Sequence, residues 1–244
     1  MVTAPASEQR QLLEIQDLDT RIAQLNHQRR THDTLDTLAE LRGRADDLNR
    51  ALTQAQVELT DVKQEVIKAE TDVEQVESRA QRSQEQLNSG QGSPKELQNL
   101  AAEIEALMRR KDVLEEAQLE AMEKVEQAQQ RHDAIEEQLN AIIDQISAVE
   151  QERDEAFTII DSELETVSQT RQRLSEEISS ALLDIYEHVR TTTGGLGAVA
   201  LRGDATVGIN VPLSLTEIAE IKQAPEDQVI QSEDYDYILV RVED

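Results

Sequence analysis

Two heptad repeats of apolar residues run through most of this 244-residue chain and limit the folds open to it. Between Glu8 and Asn88 the one glycine is Gly43 and there is no proline, and residues 95–190 contain neither. Such stretches favour long helices, because glycine and proline are the residues that most often end them. Apolar seam positions step alternately by 3 and 4 residues across 38–87 and again across 97–149, a spacing typical of coiled coils.

A short polar segment separates the two heptad repeats. Its two glycines lie in Asn88-Ser-Gly-Gln-Gly-Ser-Pro94 and can end the first helix. Ser93 has the residue type of an N-cap, Pro94 suits the first helical position, and Glu96 can complete a capping box. The sequence therefore predicts a turn near residues 88–93.

The register of the two seams tests whether the chain folds back on itself. In an antiparallel hairpin, the residue numbers of facing seam positions have a constant sum. The numbers of Leu59 and Val125 add to 184, and those of Val76 and Leu107 add to 183. The match predicts an intramolecular antiparallel hairpin over residues 1–190. A loss of phase across residues 28–34 predicts a local bend there.

The pattern changes after Arg190 to short strand-like runs, which predicts a small head over residues 191–244. The predicted strands are Ala198–Arg202, Val207–Val211 and Tyr237–Val242, and the predicted helix is Ser214–Gln223. A piece of this size rarely holds together by its own core. We therefore expect the end of the second helix, including Leu182 and Tyr186, to pack against it. The predicted fold class is mainly α, a long coiled-coil hairpin with a small α+β head.

Charge and composition exclude several classes of function. The chain has 24 Lys and Arg against 51 Asp and Glu, a net charge of −27, which is unsuited to general binding of nucleic acid or anionic lipid. With no cysteine it has no disulfide, thiol nucleophile or cysteine-bound metal. It shows no membrane-length apolar run and no signal-peptide pattern at its N-terminus, so we expect a cytoplasmic protein.

Four segments together resemble a known family. They are Ser93-Pro-Lys-Glu-Leu-Gln-Asn-Leu100 at the turn, Glu103-Ile-Glu-Ala-Leu107 after it, Gly194-Gly-Leu-Gly-Ala-Val-Ala200, and Ile238-Leu-Val-Arg241. In this order the chain resembles bacterial coiled-coil hairpin proteins that end in a four-cysteine zinc ribbon. The resemblance covers nearly the whole chain.

The resemblance implies that the head is a zinc ribbon without its zinc. Counting from Ile238 and from the predicted short helix, the four family cysteines fall on Thr206, Ile209, Ser232 and Tyr235. The alignment of the first pair has an offset of one or two residues left open. None of the four residues is a thiol, so we expect a degenerate ribbon with no metal and no cofactor.

The resemblance also implies a non-enzymatic role. Members are associated with nucleic acid or with partners such as an alternative sigma factor and secretion or flagellar components. We predict that the protein is a scaffold or adaptor that joins protein partners. Pairing of two copies as a homodimer is left as an open alternative. The alternative is a nucleic-acid-binding or transcription-associated regulator, which the acidic charge opposes. The sequence shows no nucleophile with a convergent pocket, so an enzyme is not expected.

The head and the adjoining helix end carry the candidate partner-binding residues. These are Tyr186, Leu213, Leu215, Tyr235 and Tyr237. Tyrosines with aliphatic neighbours are common interface hot spots. The competing interpretation is that the five form the small core of the head itself. Strand alternation places Tyr235, Tyr237 and Leu239 on one face and Ile238 and Val240 on the other.

Three other features of the sequence are interpreted as structural rather than as binding or catalytic sites. His132 falls on a seam position, where a lone polar residue commonly sets the register. The glycines of 194–197 lack the Lys-Ser/Thr ending of a phosphate loop and are interpreted as a hinge. The acidic run 233–236 is interpreted as a turn, with weak cation binding as the alternative.

Overall fold

The computed structural model describes residues 2–209, 213–232 and 236–242. Its elements, in chain order, are α1 (Ala6–Arg30), α2 (Asp33–Asn88), α3 (Pro94–Glu176), α4 (Ser180–Thr192), β1 (Ala198–Arg202), β2 (Ala205–Val207), α5 (Leu215–Gln223), β3 (Ile230–Gln231) and β4 (Ile238–Arg241). The fold class is as predicted: a long helical hairpin with a small C-terminal α+β region. Two compact units can be distinguished, unit 1 with residues 1–35 and 151–244 and unit 2 with residues 36–150. The predicted domain boundary at residue 190 stays a prediction.

Unit 2 contains the turn of the hairpin and its two facing helices. The backbone N–H of Ser93 donates to Glu96 Oε2 at 2.6 Å, and the Glu96 N–H lies 3.4 Å from Ser93 Oγ, which forms the predicted capping box. Leu41, Ala45, Leu139 and Ile142 share one buried cluster. Ala45 and Leu139, whose numbers add to 184, therefore meet as an antiparallel hairpin requires.

Ion pairs flank the seam of unit 2 and join its two helices. Arg79 pairs with Glu103 at 2.6 Å, Lys111 with Glu77 at 2.6 Å, and Arg131 with Glu58 at 3.1 Å. Exposed pairs of this kind each contribute little to stability, but their positions show which turns of the two helices lie side by side.

Two helix breaks interrupt the predicted long helices. α1 ends at Arg30 and α2 begins at Asp33, inside the region where the seam loses phase. The second break was not predicted: α3 ends at Glu176 and α4 begins at Ser180, so a single helix to Arg190 is wrong. The break lets Ile178 turn inward, where it is buried in the core of unit 1.

The sheet of unit 1 has the strand order β2-β1-β4-β3. β1 and β4 are parallel, with Ala198 opposite Ile238, while β2 and β3 are antiparallel edge strands. Strand β2 lies at 205–207, because the two-residue turn Gly203-Asp204 returns the chain at once, whereas the predicted strand began at Val207. Residues 210 and 211 of the predicted strand lie outside the described residues. β3 was not predicted, and at two residues it is too short to give a sequence pattern.

The central strands are buried on both faces. Ala198, Ile238 and Val240 pack in one cluster with residues of α1 and α4, including Leu12, Ile15, Leu182 and Tyr186. Val199, Leu201 and Leu239 face the opposite side and pack with Ile221 of α5. The sheet therefore lies between α1 and α4 on one face and α5 on the other, and the expected packing of the helix end against the head is observed.

Candidate functional site

Tyr186 lies at the centre of unit 1 and is fully buried. Its hydroxyl donates to Asp19 Oδ2 at 2.8 Å and lies 3.3 Å from Gln16 Oε1. Burial raises the pKa of the Tyr186 phenol, and the charge of Asp19 raises it further. Its ring fills the space between α4, α1 and the start of β1, as the core interpretation predicts, so it offers no exposed surface for the alternative partner contact.

A charged cluster surrounds the Tyr186 hydroxyl. Arg171 donates from Nε and Nη2 to the two oxygens of Asp19 at 3.0 and 3.1 Å, and it also pairs with Glu187. Arg190 donates to Glu187 Oε2 at 2.8 Å and lies 3.5 Å from Asp19. Partial burial would raise the pKa of the Glu187 carboxyl, but hydrogen bonds from both arginines lower it. Two arginines and two carboxylates neutralise one another, so the cluster joins α1, α3 and α4.

Gln16 connects helix α1 to the loop before β1. Its Oε1 accepts from the backbone N–H of Gly197 at 2.6 Å, and its Nε2 donates to the Gly195 carbonyl at 3.1 Å. Gln16 was not predicted as a functional residue, because a polar residue beside Ile15 gives no sign of a contact some 180 positions away. Glycines 194–197 were interpreted as a hinge, whereas the side chain of Gln16 holds the backbone of Gly195 and Gly197 by hydrogen bonds.

The four positions assigned to the family cysteines carry neither a thiol nor an imidazole. Thr206 Oγ1 donates to the Ile209 carbonyl at 2.6 Å, and Ile209 exposes an aliphatic side chain. Ser232 is buried, and within the described residues its Oγ has no hydrogen-bond partner. Tyr235 lies outside the described residues. Hydroxyl and aliphatic side chains do not replace the thiolates and imidazoles that bind structural zinc, so this set of residues does not fit the metal.

The other candidate partner residues differ in exposure. Leu213 and Tyr237 are half-buried and pack against the cluster of Val199, Leu201, Ile221 and Leu239, as the core interpretation predicts. Leu215, at the first position of α5, is 87% exposed. Val207 and Ile209 are also exposed apolar residues of the head. Of the four candidates that the structure describes, Leu215 is the one that is largely exposed.

His132 lies half-buried on the hairpin seam, and its Nδ1 is 3.1 Å from Asp133 Oδ1. Together with Glu136, these residues bring potential metal ligands within 4.8 Å of one another. Both carboxylates are exposed, and His132 occupies its expected seam position. The sequence analysis had interpreted His132 as a polar seam layer and did not foresee this grouping.

The family model described as the CT398-like coiled coil hairpin domain matches residues 15–194 of the chain. This chain belongs to that family. The match begins within α1, continues to just after α4 and ends before β1, so the predicted ribbon ancestry of the head stays a prediction. Among the described residues, none of the helices is both long enough and apolar enough to cross a membrane.

Relatives of this CT398-like hairpin protein occur in mycobacteria. An uncharacterized protein of Mycobacterium tuberculosis is 28% identical over 98% of both chains. A solved structure from Mycobacterium smegmatis, 27% identical, has a TM-score of 0.85 and covers 98% of this chain and all of its own. CT398 from Chlamydia trachomatis, 19% identical, has a TM-score of 0.69 over 97% of this chain and 98% of its own, and shares the fold.

Proposed function

We propose that this CT398-like hairpin protein is a non-catalytic adaptor that joins protein partners and that Leu215 on its head is a contact point. The exposure of Leu215 is the observation that carries the proposal. A leucine that becomes fully buried gains about 1.5–3 kcal/mol, so a partner that covers Leu215 gains stability from one side chain.

The exposure of Leu215 does not come from a loose helix end. The Ser214 N–H donates to Glu217 Oε2 at 2.7 Å, and the Glu217 N–H donates to Ser214 Oγ at 3.1 Å. This reciprocal capping box fixes the first turn of α5. One turn further on, Ile221 packs into the cluster beneath the sheet. The head is therefore built to hold an apolar side chain in water at a defined place.

Charge favours a protein over a nucleic acid as the partner. Neutralising phosphates requires clustered Lys and Arg, and the chain carries 24 of these against 51 acidic residues. Within the head, Lys222 is paired with Asp204 at 2.5 Å and Arg241 donates to the Ala224 and Pro225 carbonyls. These two cations are already engaged within the head, which weighs against the regulator alternative.

The test starts with the partner that the wild-type protein recovers from native lysate, identified and purified by itself. Leu215→Ser should weaken binding of that partner tenfold or more while leaving the circular dichroism spectrum unchanged. Val57→Ser is the matched control, because Val57 is also exposed but lies on the hairpin of unit 2. Unchanged binding by Leu215→Ser, or equal loss in both variants, would refute the proposal.

A further inference from the structure

A groove with an apolar floor crosses one face of the hairpin in unit 2. Its volume is about 1010 Å³. We call it the mid-hairpin groove, and it is lined by Lys63, Val66, Ile67, Glu70, Leu119, Met122, Glu123, Val125, Glu126, Gln129 and Gln130. All of its lining residues belong to unit 2, whereas Leu215 belongs to unit 1.

The groove exposes apolar side chains at positions outside the seam, which do not pack against the facing helix of a two-stranded coil. Val66 and Val125 are seam residues, and both are half-buried. Ile67, Leu119 and Met122 lie one residue beyond seam positions and are 53%, 62% and 49% exposed. The outer positions of a two-stranded coil usually carry polar residues. Apolar residues beside the seam are what a third helix would pack against.

The rim of the groove is acidic. Among its lining residues are the three glutamates Glu70, Glu123 and Glu126, and one lysine, Lys63. All four side chains are exposed, so they can meet the flanks of a bound molecule. A second copy of the chain would bring an identical acidic rim against this one, and like charges facing across an interface are unfavourable.

We propose that the mid-hairpin groove binds an amphipathic helix of another protein, with an apolar stripe flanked by Lys or Arg. Residues 119–130 extend over about 16 Å at 1.5 Å per residue, which matches about three turns of a docked helix. Such helices bind grooves through apolar anchors spaced i, i+3, i+4 and i+7. This inference rests on the proposed adaptor function, since it supplies a surface separate from the head.

A designed peptide tests the groove without knowledge of the natural partner. The probe is a fluorescent helix of about 18 residues with leucine on one face and lysine on the other. Its counterpart has glutamate in place of every lysine. We expect the full-length protein to bind the lysine peptide at least tenfold more tightly than the glutamate peptide, with affinity that falls as salt is added.

Variants locate the binding site. Leu119→Ser and Met122→Ser should each reduce affinity for the lysine peptide about fivefold or more. Val113→Ser should not, because Val113 is exposed on the same helix but does not line the groove. Circular dichroism checks that each variant keeps its helix content.

Three outcomes would overturn the groove proposal. The first is equal binding of the two peptides, and the second is equal loss in Val113→Ser. The third is self-association by sedimentation that disappears in Leu119→Ser, because a second copy would then fill the groove. The Leu215→Ser assay on the native partner is read separately. If the protein does not bind the lysine peptide but its binding of the native partner is still weakened by Leu215→Ser, the groove proposal is refuted and the adaptor function is retained.

Discussion

The Tyr186 ring lies directly against Gly197. A Cβ atom added at Gly197 would stand 2.5 Å from Tyr186 Cε2 and 2.7 Å from Cδ2. The ring is fully buried, so it has no room to move away. This contact, together with the hydrogen bond from Gly197 N–H to Gln16, fixes the start of β1 against α1 and α4.

Gly197→Ala should therefore lower the free energy of unfolding of the protein by about 1–3 kcal/mol through overpacking. Gly43→Ala is the matched control, because Gly43 lies in α2 with nothing within 4 Å of an added Cβ. It should raise stability by about 1 kcal/mol, since alanine favours helix over glycine. Denaturant unfolding followed by circular dichroism measures both, and equal effects of the two changes would contradict the packing account.

The lowered pKa of the Glu187 carboxyl predicts that the folding stability of the protein decreases at acidic pH. A carboxyl whose folded pKa lies below its ordinary value of 4.5 stabilises the fold above that pH, and the stabilisation is lost as pH falls through the folded pKa. Wild type should thus exceed Glu187→Gln in stability at pH 7, and the gap should close below about pH 4.5. A gap that stays constant down to pH 2.5 would show that the ion pairs with Arg171 and Arg190 do not carry it.

The residues at the positions that the resemblance assigns to the family cysteines predict that the protein needs no zinc. Thr206, Ile209 and Ser232 provide no thiolate, and unit 1 has a packed core on both faces of its sheet. The purified protein should contain no stoichiometric zinc by elemental analysis. Its melting temperature should be the same in strong chelator as in buffer. One equivalent of bound zinc, or a large drop in melting temperature, would contradict this.

Periodic features were predictable from the sequence and long-range polar contacts were not. The heptads alone give the pairing of Ala45 with Leu139, because a repeated local pattern fixes the register over the whole helix. The Ser93–Glu96 capping box was likewise predicted from local residue types. Asp19 and Arg171 form an ion pair across 152 positions, and nothing in the sequence distinguishes Asp19 from the three other carboxylates of α1 as the partner of Arg171.

The candidate site was predictable only in part for the same reason. Strand alternation correctly placed Tyr237 and Leu239 on the face opposite Ile238 and Val240. It carries no information on which face α5 covers. Leu215 and Leu213 are both leucines near the start of α5, yet one is exposed and the other packs on the core. The difference comes from tertiary packing against Val199, Leu201, Ile221 and Leu239, which the residue types near α5 do not indicate.

The hairpin predicts a short distance between labels at positions 58 and 131. Glu58 and Arg131 pair at 3.1 Å, and the chain has no cysteine, so Glu58→Cys with Arg131→Cys gives two unique labelling sites. Spin labels there should report a short distance that persists after dilution with unlabelled protein. A control pair at positions 58 and 109 should be longer by about 25 Å or more. Loss of the short distance on dilution would mean that the helices pair between chains.

The adaptor function is tested most directly by a photo-crosslinking residue placed at Leu215 in living cells of the source organism. We expect irradiation to join the head to another protein at a defined mass, identified by mass spectrometry. The same residue at Val113, exposed on the hairpin but outside the groove, should give only background. Equal yields at both positions, or an adduct at Leu215 made with nucleic acid instead of protein, would contradict the account.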